Sequence, residues 1–132
     1  MKKIVGFILL LLCMTVFTAC DNKSASPKAR YQKISAEEAY RMMQDTEAYI
    51  LLDVRTEEEF KETRIEGAIL IPDYEIGSRA ASELPDKSAL ILVYCRSGRR
   101  SANAAHELIE MGCQNVYDFG GIIDWPYDTI SG

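Results

Sequence analysis

The sequence predicts an α/β fold in which a small parallel sheet is covered by helices on both faces. Two compact apolar runs, residues 48–54 (A-Y-I-L-L-D-V) and residues 89–94 (A-L-I-L-V-Y), are typical of strands that are buried on both sides. Segments with helical periodicity alternate with these runs, and this alternation favours parallel strands joined by helices. The 132 residues leave room for one domain.

A capping signal starts the first predicted helix. Ser35 is followed three residues later by Glu38, the spacing at which each side chain caps the backbone N–H of the other residue. The apolar residues behind this pair recur at helical spacing, which predicts a helix over residues 36–44. The apolar run at 48–54 then predicts the first long strand.

The same capping signal recurs directly after that strand. Thr56 and Glu59 have capping-box spacing and predict a second, short helix over residues 56–60. A short apolar run, residues 68–71, predicts a brief strand that ends before a proline. Residues 73–82 fit either a helix or a turn.

The second half of the chain contains the strongest strand and the strongest helix signals. Residues 89–94 are wholly apolar and predict the central strand. Residues 98–111 predict a helix that ends at Gly112. The expected buried face of this helix consists of Ala102, Ala105, Leu108 and Ile109. A last short strand is predicted at residues 116–119, before a pair of glycines.

The composition is that of a globular protein. The chain is 48% hydrophobic and 27% charged, which excludes a disordered chain and a collagen-like repeat. It has 15 Lys and Arg against 20 Asp and Glu, a net charge of −5. Because affinity for nucleic acids depends on clustered positive charge at the phosphates, nucleic acid is not expected as a partner.

The first 19 residues have the pattern of a secretory signal peptide. Lys2 and Lys3 precede an apolar run over residues 4–17, which is shorter than the roughly 20 residues that span a membrane. The sequence F-T-A-C that ends at Cys20 resembles a bacterial lipobox. This resemblance implies that Cys20 carries a lipid and becomes the mature N-terminus. The alternative is an ordinary signal peptide followed by an incidental cysteine.

The N-terminal segment also predicts the domain organisation. Residues 20–30 are small, polar and contain a proline, which is typical of a linker. Residues 31–132 then form the folded domain. A lipid on Cys20 would hold this domain at the extracytoplasmic face of a bacterial membrane. Without the lipid, the domain would be periplasmic or secreted.

The segment from Cys95 to Ser101 (C-R-S-G-R-R-S) joins the strongest strand to the strongest helix. A helix N-terminus offers unpaired N–H groups and a partial positive charge, and Arg96, Arg99 and Arg100 lie within the same few residues. This setting stabilises a thiolate, which is the reactive form of cysteine. The sequence therefore predicts that Cys95 is a nucleophile for a substrate that is or becomes anionic.

The backbone of this loop is expected to contribute as well. Gly98 permits a tight turn, and the N–H groups of Ser97 and Gly98 would form an anion-binding nest. The alternative is that Cys95 is only a small buried residue and that the arginines form a solvated basic patch. Three arginines within five residues repel one another unless an anion or carboxylates lie nearby, which favours the nucleophile.

Four other residues are candidates for supporting or minor roles. Asp53 and Arg55 follow the first long strand and are expected to fix the loop through hydrogen bonds. Cys113 is expected to be a packed small residue. A resolving role for Cys113 is the alternative, although a helix of about 15 residues, on the order of 20 Å, separates it from Cys95. His106 is the only histidine, and with Cys113 alone it cannot build a metal site.

Four segments match, in order, the landmarks of single-domain rhodaneses. They are residues 53–55 (D-V-R), 67–72 (G-A-I-L-I-P), 95–100 (C-R-S-G-R-R) and 120–125 (G-G-I-I-D-W). The chain thus resembles the rhodanese family over roughly residues 31–130. One departure is the pair Thr63-Arg64, where the family commonly has Gly-His.

Rhodaneses are sulfurtransferases, and the resemblance implies a role for each residue of the loop. Cys95 would attack the outer sulfur of a donor such as thiosulfate, release sulfite and become a persulfide. A thiol, cyanide or a thioredoxin-like protein would then take the sulfur. The three arginines would hold the anionic donor, and the Ser97 and Gly98 amides would cradle the outer sulfur. The resemblance implies neither a metal nor an organic cofactor.

An exposed thiolate outside the cytoplasm is prone to oxidation, so Cys95 is also expected to need a reductant or a protecting persulfide.

Two other functions remain as alternatives on the same fold. Phosphatases related to rhodaneses have five residues between the cysteine and its arginine, whereas four separate Cys95 from Arg100. Ser101, one position further, cannot grip a phosphate through two hydrogen bonds. Tyr94 also replaces the histidine that precedes the phosphatase cysteine. The second alternative is a non-enzymatic binding module or a sulfur carrier, although degenerate modules usually lack the cysteine.

Overall fold

A five-stranded parallel sheet forms the centre of the molecule. The computed structural model describes residues 29–132, so the predicted signal peptide, Cys20 and most of the predicted linker lie outside the described residues. The strands are Gln32–Lys33 (β1), Ile50–Asp53 (β2), Ile69–Leu70 (β3), Leu90–Cys95 (β4) and Asn115–Gly121 (β5). Their order in the sheet is β1-β5-β4-β2-β3, and every neighbouring pair is parallel. The predicted fold class is confirmed.

Helices cover both faces of this sheet. They are Ala36–Asp45 (α1), Glu57–Glu62 (α2), Ile76–Glu83 (α3) and Arg99–Glu110 (α4). Alternate residues of β4 point to opposite faces. Val93 and Cys95 pack with α3 and α4 in one core cluster, whereas Leu92 and Tyr94 pack with α1 in the other. None of the helices in the described part of the chain is long and apolar enough to cross a membrane.

Both predicted capping boxes are present and fix where two helices begin. The Ser35 hydroxyl accepts from the Glu38 N–H at 3.1 Å, and the Glu38 carboxylate accepts from the Ser35 N–H at 2.8 Å. Thr56 and Glu59 make the same two hydrogen bonds at 3.2 and 2.9 Å. Helix α2 therefore begins immediately after β2, at the edge of the sheet where the carboxyl ends of the strands lie.

Three elements differ from the sequence expectation. Residues 73–82, for which the sequence fits either a helix or a turn, form a 3₁₀ turn, Asp73–Glu75, followed by α3. The last strand is longer than predicted and includes both glycines. Strand β1 has no sequence signal, because its two exposed residues are in a strand only through their pairing with β5.

The buried face of α4 is also rotated from the predicted one. Its buried residues are Ser101, Ala104, Ala105 and Leu108, whereas Ala102 and Ile109 are only half-buried. One step along a helix changes direction by about 100°, so a small rotation exchanges neighbouring positions on the face. The rotation turns the Ser101 hydroxyl toward the end of β4.

Candidate active site

Cys95 is the last residue of β4, and its thiol lies at the start of α4. The N–H of Gly98 donates a hydrogen bond to Sγ of Cys95 at 3.0 Å. Gly98 is the N-cap residue of α4 and has φ +108°, in the left-handed region that favours glycine. This turn directs a backbone donor and the positive end of the α4 dipole at the sulfur.

The prediction that Cys95 is exposed is wrong. Cys95 has 1% of its surface accessible, because its position in β4 places it on the sheet face that α4 covers. It packs in the same core cluster as Val93 and Ala104. A reagent therefore reaches Sγ only if the residues that cover it move.

Ser101 is a site residue that the sequence does not single out. Its side chain is completely buried, and the Cys95 thiol donates to its Oγ at 3.4 Å. The single hydroxyl proton of Ser101 can go to the Gly98 carbonyl at 3.1 Å or to the Gly120 carbonyl at 3.3 Å. When Cys95 loses its proton, the same hydroxyl can instead turn toward the sulfur as a donor. The sequence signal that could identify Ser101 is its position in the first turn of α4, on the helix face that packs against β4.

The three arginines of the loop have different environments. Arg100 forms a two-bond ion pair with Glu59, with N–O distances of 2.8 and 2.9 Å. Arg96 and Arg99 are exposed, and none of the ion pairs found within residues 29–132 includes them. Two positive charges therefore remain uncompensated at the loop, whereas Arg100 ties the loop to α2. That all three bind an anionic donor stays a prediction.

The ion pair with Arg100 predicts a specific loss of stability in acid. The Arg100 guanidinium lowers the pKa of Glu59 from 4.5 to about 2. Since the folded-state pKa is the lower one, this stabilisation is complete above about pH 4.5 and is lost as the pH falls toward 2. We expect wild-type protein to lose more stability across this window than Glu59→Gln, measured by urea unfolding at a series of pH values.

A matched control separates the ion pair from helix capping. Glu38 has the same capping role in α1, and no ion pair in the described part of the chain includes it. Glu38→Gln is therefore expected to keep the acid-dependent loss of the wild type. An acid profile of Glu59→Gln that matches the wild type contradicts this role for the ion pair.

The two glycines at the end of β5 form one wall of the loop. A Cβ on Gly121 would lie 2.1 Å from the carbonyl oxygen of Arg96 and 2.6 Å from Cα of Ser97. The backbone of β5 therefore supports the loop at a distance that only glycine allows. These glycines appear in the sequence as a family landmark, but nothing in their local pattern shows what they touch.

Asp53 and Arg55 form a buried ion pair beside the site. Asp53 is 0% and Arg55 2% exposed, and the guanidinium lies 2.7 Å from the carboxylate. Arg55 also donates to the carbonyl of Thr63 at 2.6 Å and lies over the Tyr94 ring, 5.6 Å from its centroid. Within the described residues, the Asp53 and Arg55 side chains make none of the predicted hydrogen bonds to the loop between Cys95 and α4. The pair instead holds the segment at Thr63 against Tyr94, the residue before Cys95.

Within residues 29–132, Cys113 and His106 make no hydrogen bond to the Cys95 sulfur, whose partners are Gly98 and Ser101. Cys113 is completely buried in the core, as predicted, and this burial raises its pKa. Cys95 and Cys113 are both free thiols. His106 is exposed on α4 and stacks on Tyr31, with 4.4 Å between ring centroids. Within residues 29–132, no cluster of three or more His, Cys, Asp or Glu side chains is placed to hold a metal ion.

A family model and two curated relatives point to the same protein family. Residues 35–126 match the family model for a rhodanese-like domain. The thiosulfate sulfurtransferase PspE of Escherichia coli is 38% identical over 81 residues, which cover 61% of this chain and 78% of that protein. A sulfurtransferase of Allochromatium vinosum is 37% identical over 94 residues, covering 70% of this chain and 86% of that protein.

Solved structures show the same relationship. A rhodanese from E. coli, solved with anions, superposes with a TM-score of 0.60 at 38% identity, and the match covers 64% of this chain and all of that one. The rhodanese-like domain of the Anabaena protein Alr3790 gives a TM-score of 0.70 at 26% identity, covering 78% of this chain and 81% of that one. Because the family model covers most of the chain and the fold agrees, the chain belongs to the rhodanese-like domain family.

Proposed function

We propose that this protein is a sulfurtransferase that carries a sulfane sulfur as a persulfide on Cys95. The observation that supports it most is the hydrogen bond from the Gly98 N–H to Sγ at the N-terminus of α4, next to the uncompensated arginines Arg96 and Arg99. The Cys95 thiolate attacks the outer sulfur of thiosulfate. The S–S bond of the donor breaks, and its electron pair leaves with sulfite.

The second step returns the enzyme to its starting state. An acceptor thiolate, cyanide or the cysteine of a thioredoxin-like protein attacks the outer sulfur of the persulfide. The bond to Cys95 breaks, and Cys95 leaves as a thiolate that the Gly98 amide and the Ser101 hydroxyl can stabilise. Arg96 and Arg99 attract the anionic donor, and the amides of Ser97 and Gly98 hold the charged outer sulfur. Similarity to proteins named thiosulfate sulfurtransferases supports thiosulfate as the donor.

Mass spectrometry of the purified full chain in detergent tests this proposal. Trypsin releases residues 88–96, whose only cysteine is Cys95. After treatment with thiosulfate and then alkylation, we expect this peptide to gain the mass of one sulfur atom. Cyanide added before the alkylation is expected to remove that sulfur. Cys95→Ser is expected to abolish the gain, because a hydroxyl at this position is a much weaker nucleophile. Cys113→Ser is the matched control and is expected to load normally.

Either of two results would contradict the proposal. One is a gain of sulfur on Cys113 rather than Cys95. The other is no gain in the wild type while circular dichroism shows a folded protein, which would exclude thiosulfate as the donor.

A sulfur carrier is the second candidate function. The putative sulfur carrier protein YrkF of Bacillus subtilis is 33% identical over 110 residues, covering 83% of this chain and 56% of that protein. A carrier would accept one sulfur and keep it in the presence of cyanide or small thiols, whereas a sulfurtransferase would turn over repeatedly. A phosphatase is less well supported, because Arg100 is bound to Glu59 instead of facing a phosphate.

We also propose that a lipid on Cys20 anchors the domain at the extracytoplasmic face of a bacterial membrane. The support is the sequence alone: the positive start, the apolar run and the small residues before Cys20. Wild-type protein expressed with a radioactive fatty acid is expected to carry the label, and Cys20→Ser is not. Equal labelling of the two proteins would contradict the proposal.

A further inference from the structure

Half-buried Tyr31 and buried Asp118 form a hydrogen-bonded pair that no step above uses. The hydroxyl of Tyr31 donates to Oδ2 of Asp118 at 2.6 Å. Burial and the Asp118 carboxylate raise the pKa of Tyr31, so the phenol keeps its proton and remains a donor. Asp118 is completely buried in β5, and none of the ion pairs between residues 29 and 132 includes it.

From Asp118, short contacts lead to the reacting sulfur. Its Oδ1 accepts from the N–H of Gly120 at 2.9 Å and closes a turn in which Gly120 has φ +88°. The Gly120 carbonyl accepts from Oγ of Ser101 at 3.3 Å, and this Oγ is 3.4 Å from Sγ of Cys95. The next residue, Gly121, packs against the backbone of the loop.

We propose that Asp118 is a positioning residue for Cys95 and that Tyr31 fixes the Asp118 carboxylate. The proposal rests on the sulfur transfer proposed above. Tyr31 lies before residues 35–126, which match the family model, so the positioning depends partly on a residue that the family match does not cover.

The physical reason is the cost of an unpaired buried carboxylate oxygen. Asp118 is 0% exposed, so without the Tyr31 hydroxyl its Oδ2 loses its donor, and the carboxylate must turn or draw in water. Turning moves Oδ1 away from the Gly120 N–H. The Gly120 peptide then shifts, together with the acceptor of the Ser101 hydroxyl. A misplacement of about 1 Å at a reacting group can cost on the order of a hundredfold in rate.

Single-turnover sulfur loading of the full chain in detergent tests the proposal. The readout is the sulfur gained by the 88–96 peptide with time, at several thiosulfate concentrations. Asp118→Ala is expected to slow loading about tenfold or more, with half-saturation by thiosulfate unchanged. Asp118→Asn is expected to restore the rate to within about threefold, because its Oδ1 still accepts from Gly120. Tyr31→Phe is expected to lie between the two.

Asn115→Ala is the matched control on the same strand. Its side chain donates to the Ser88 carbonyl at 2.8 Å, at the opposite end of β5 from the site. This variant is expected to melt at a lower temperature and to load at the wild-type rate. A folded Asp118→Ala that also loads at the wild-type rate overturns the proposal. The proposal is also overturned if Asp118→Asn loads as slowly as Asp118→Ala. The charge of Asp118, and not its hydrogen bond to Gly120, would then determine the loading rate.

A second measurement tests whether Asp118 positions Cys95 even if thiosulfate proves not to be a donor. The ¹⁵N amide resonance of Gly98 reports the hydrogen bond to Sγ directly. We expect it to shift in Asp118→Ala and to stay in place in Asn115→Ala. An unchanged Gly98 resonance in Asp118→Ala would show that Asp118 does not position the site.

Discussion

Gly121→Ala is expected to slow sulfur loading at Cys95 about a hundredfold. The added Cβ would lie 2.1 Å from the carbonyl oxygen of Arg96, and the atoms it meets are backbone that cannot rotate away. The loop must therefore move by about 1 Å or more, which displaces the Gly98 amide from the sulfur. A shift of that size costs on the order of a hundredfold in rate, and overpacking costs roughly 1–3 kcal/mol of stability.

Gly77→Ala is the matched control for this prediction. A Cβ at Gly77 would meet only Oε1 of Glu107, at 3.0 Å, and that flexible side chain can move aside. Because alanine is favoured over glycine inside a helix by about 1 kcal/mol, Gly77→Ala is expected to keep or raise the melting temperature and to load normally. Loading of Gly121→Ala at the wild-type rate would show that the loop tolerates the displacement.

Asp53→Ala is expected to cause a large loss of stability. It leaves the Arg55 guanidinium, which is 2% exposed, without its carboxylate partner. Removing one partner of a buried ion pair costs about 3–5 kcal/mol, a large part of the roughly 5–15 kcal/mol that stabilises a domain. The free energy of unfolding in urea measures this loss.

Lys61→Ala provides the comparison. Lys61 and Glu57 form an ion pair of 2.8 Å on the surface, with both side chains about two-thirds exposed. Solvent screens such a pair, so its removal is expected to change the unfolding midpoint very little. If Asp53→Ala is no more destabilised than Lys61→Ala, water reaches Arg55 and the pair is not a structural anchor.

The sequence predicts elements best where the signal is local. The structure contains the capping boxes at Ser35 and Thr56 that the sequence predicts, because each box depends on two residues only three positions apart. The central strand and the helix after it are likewise encoded by short apolar patterns. Strand β1 carries no such pattern, because only its partner β5 makes it a strand.

The candidate site is predicted in part for the same reason. Cys95 and Gly98 lie within one loop, so their relation to the end of a strand and the start of a helix can be read along the chain. The burial of Cys95 cannot be read along the chain, because it depends on which face of β4 packs against α4. Ser101 was missed because a small change in the rotation of α4 decides whether its hydroxyl faces solvent or the sulfur.

By itself, the sequence determined the fold class, the order of helices and strands, and a cysteine at the junction of a strand and a helix. Only the tertiary structure decided which distant residues pair near that junction. Arg100 pairs with Glu59, 41 residues away, and Tyr31 pairs with Asp118, 87 residues away. The physical reason is that local periodicity determines which segments form strands and helices, whereas the strand order β1-β5-β4-β2-β3 determines which of them meet. That order arises from packing between distant segments, and no spacing along the chain records it.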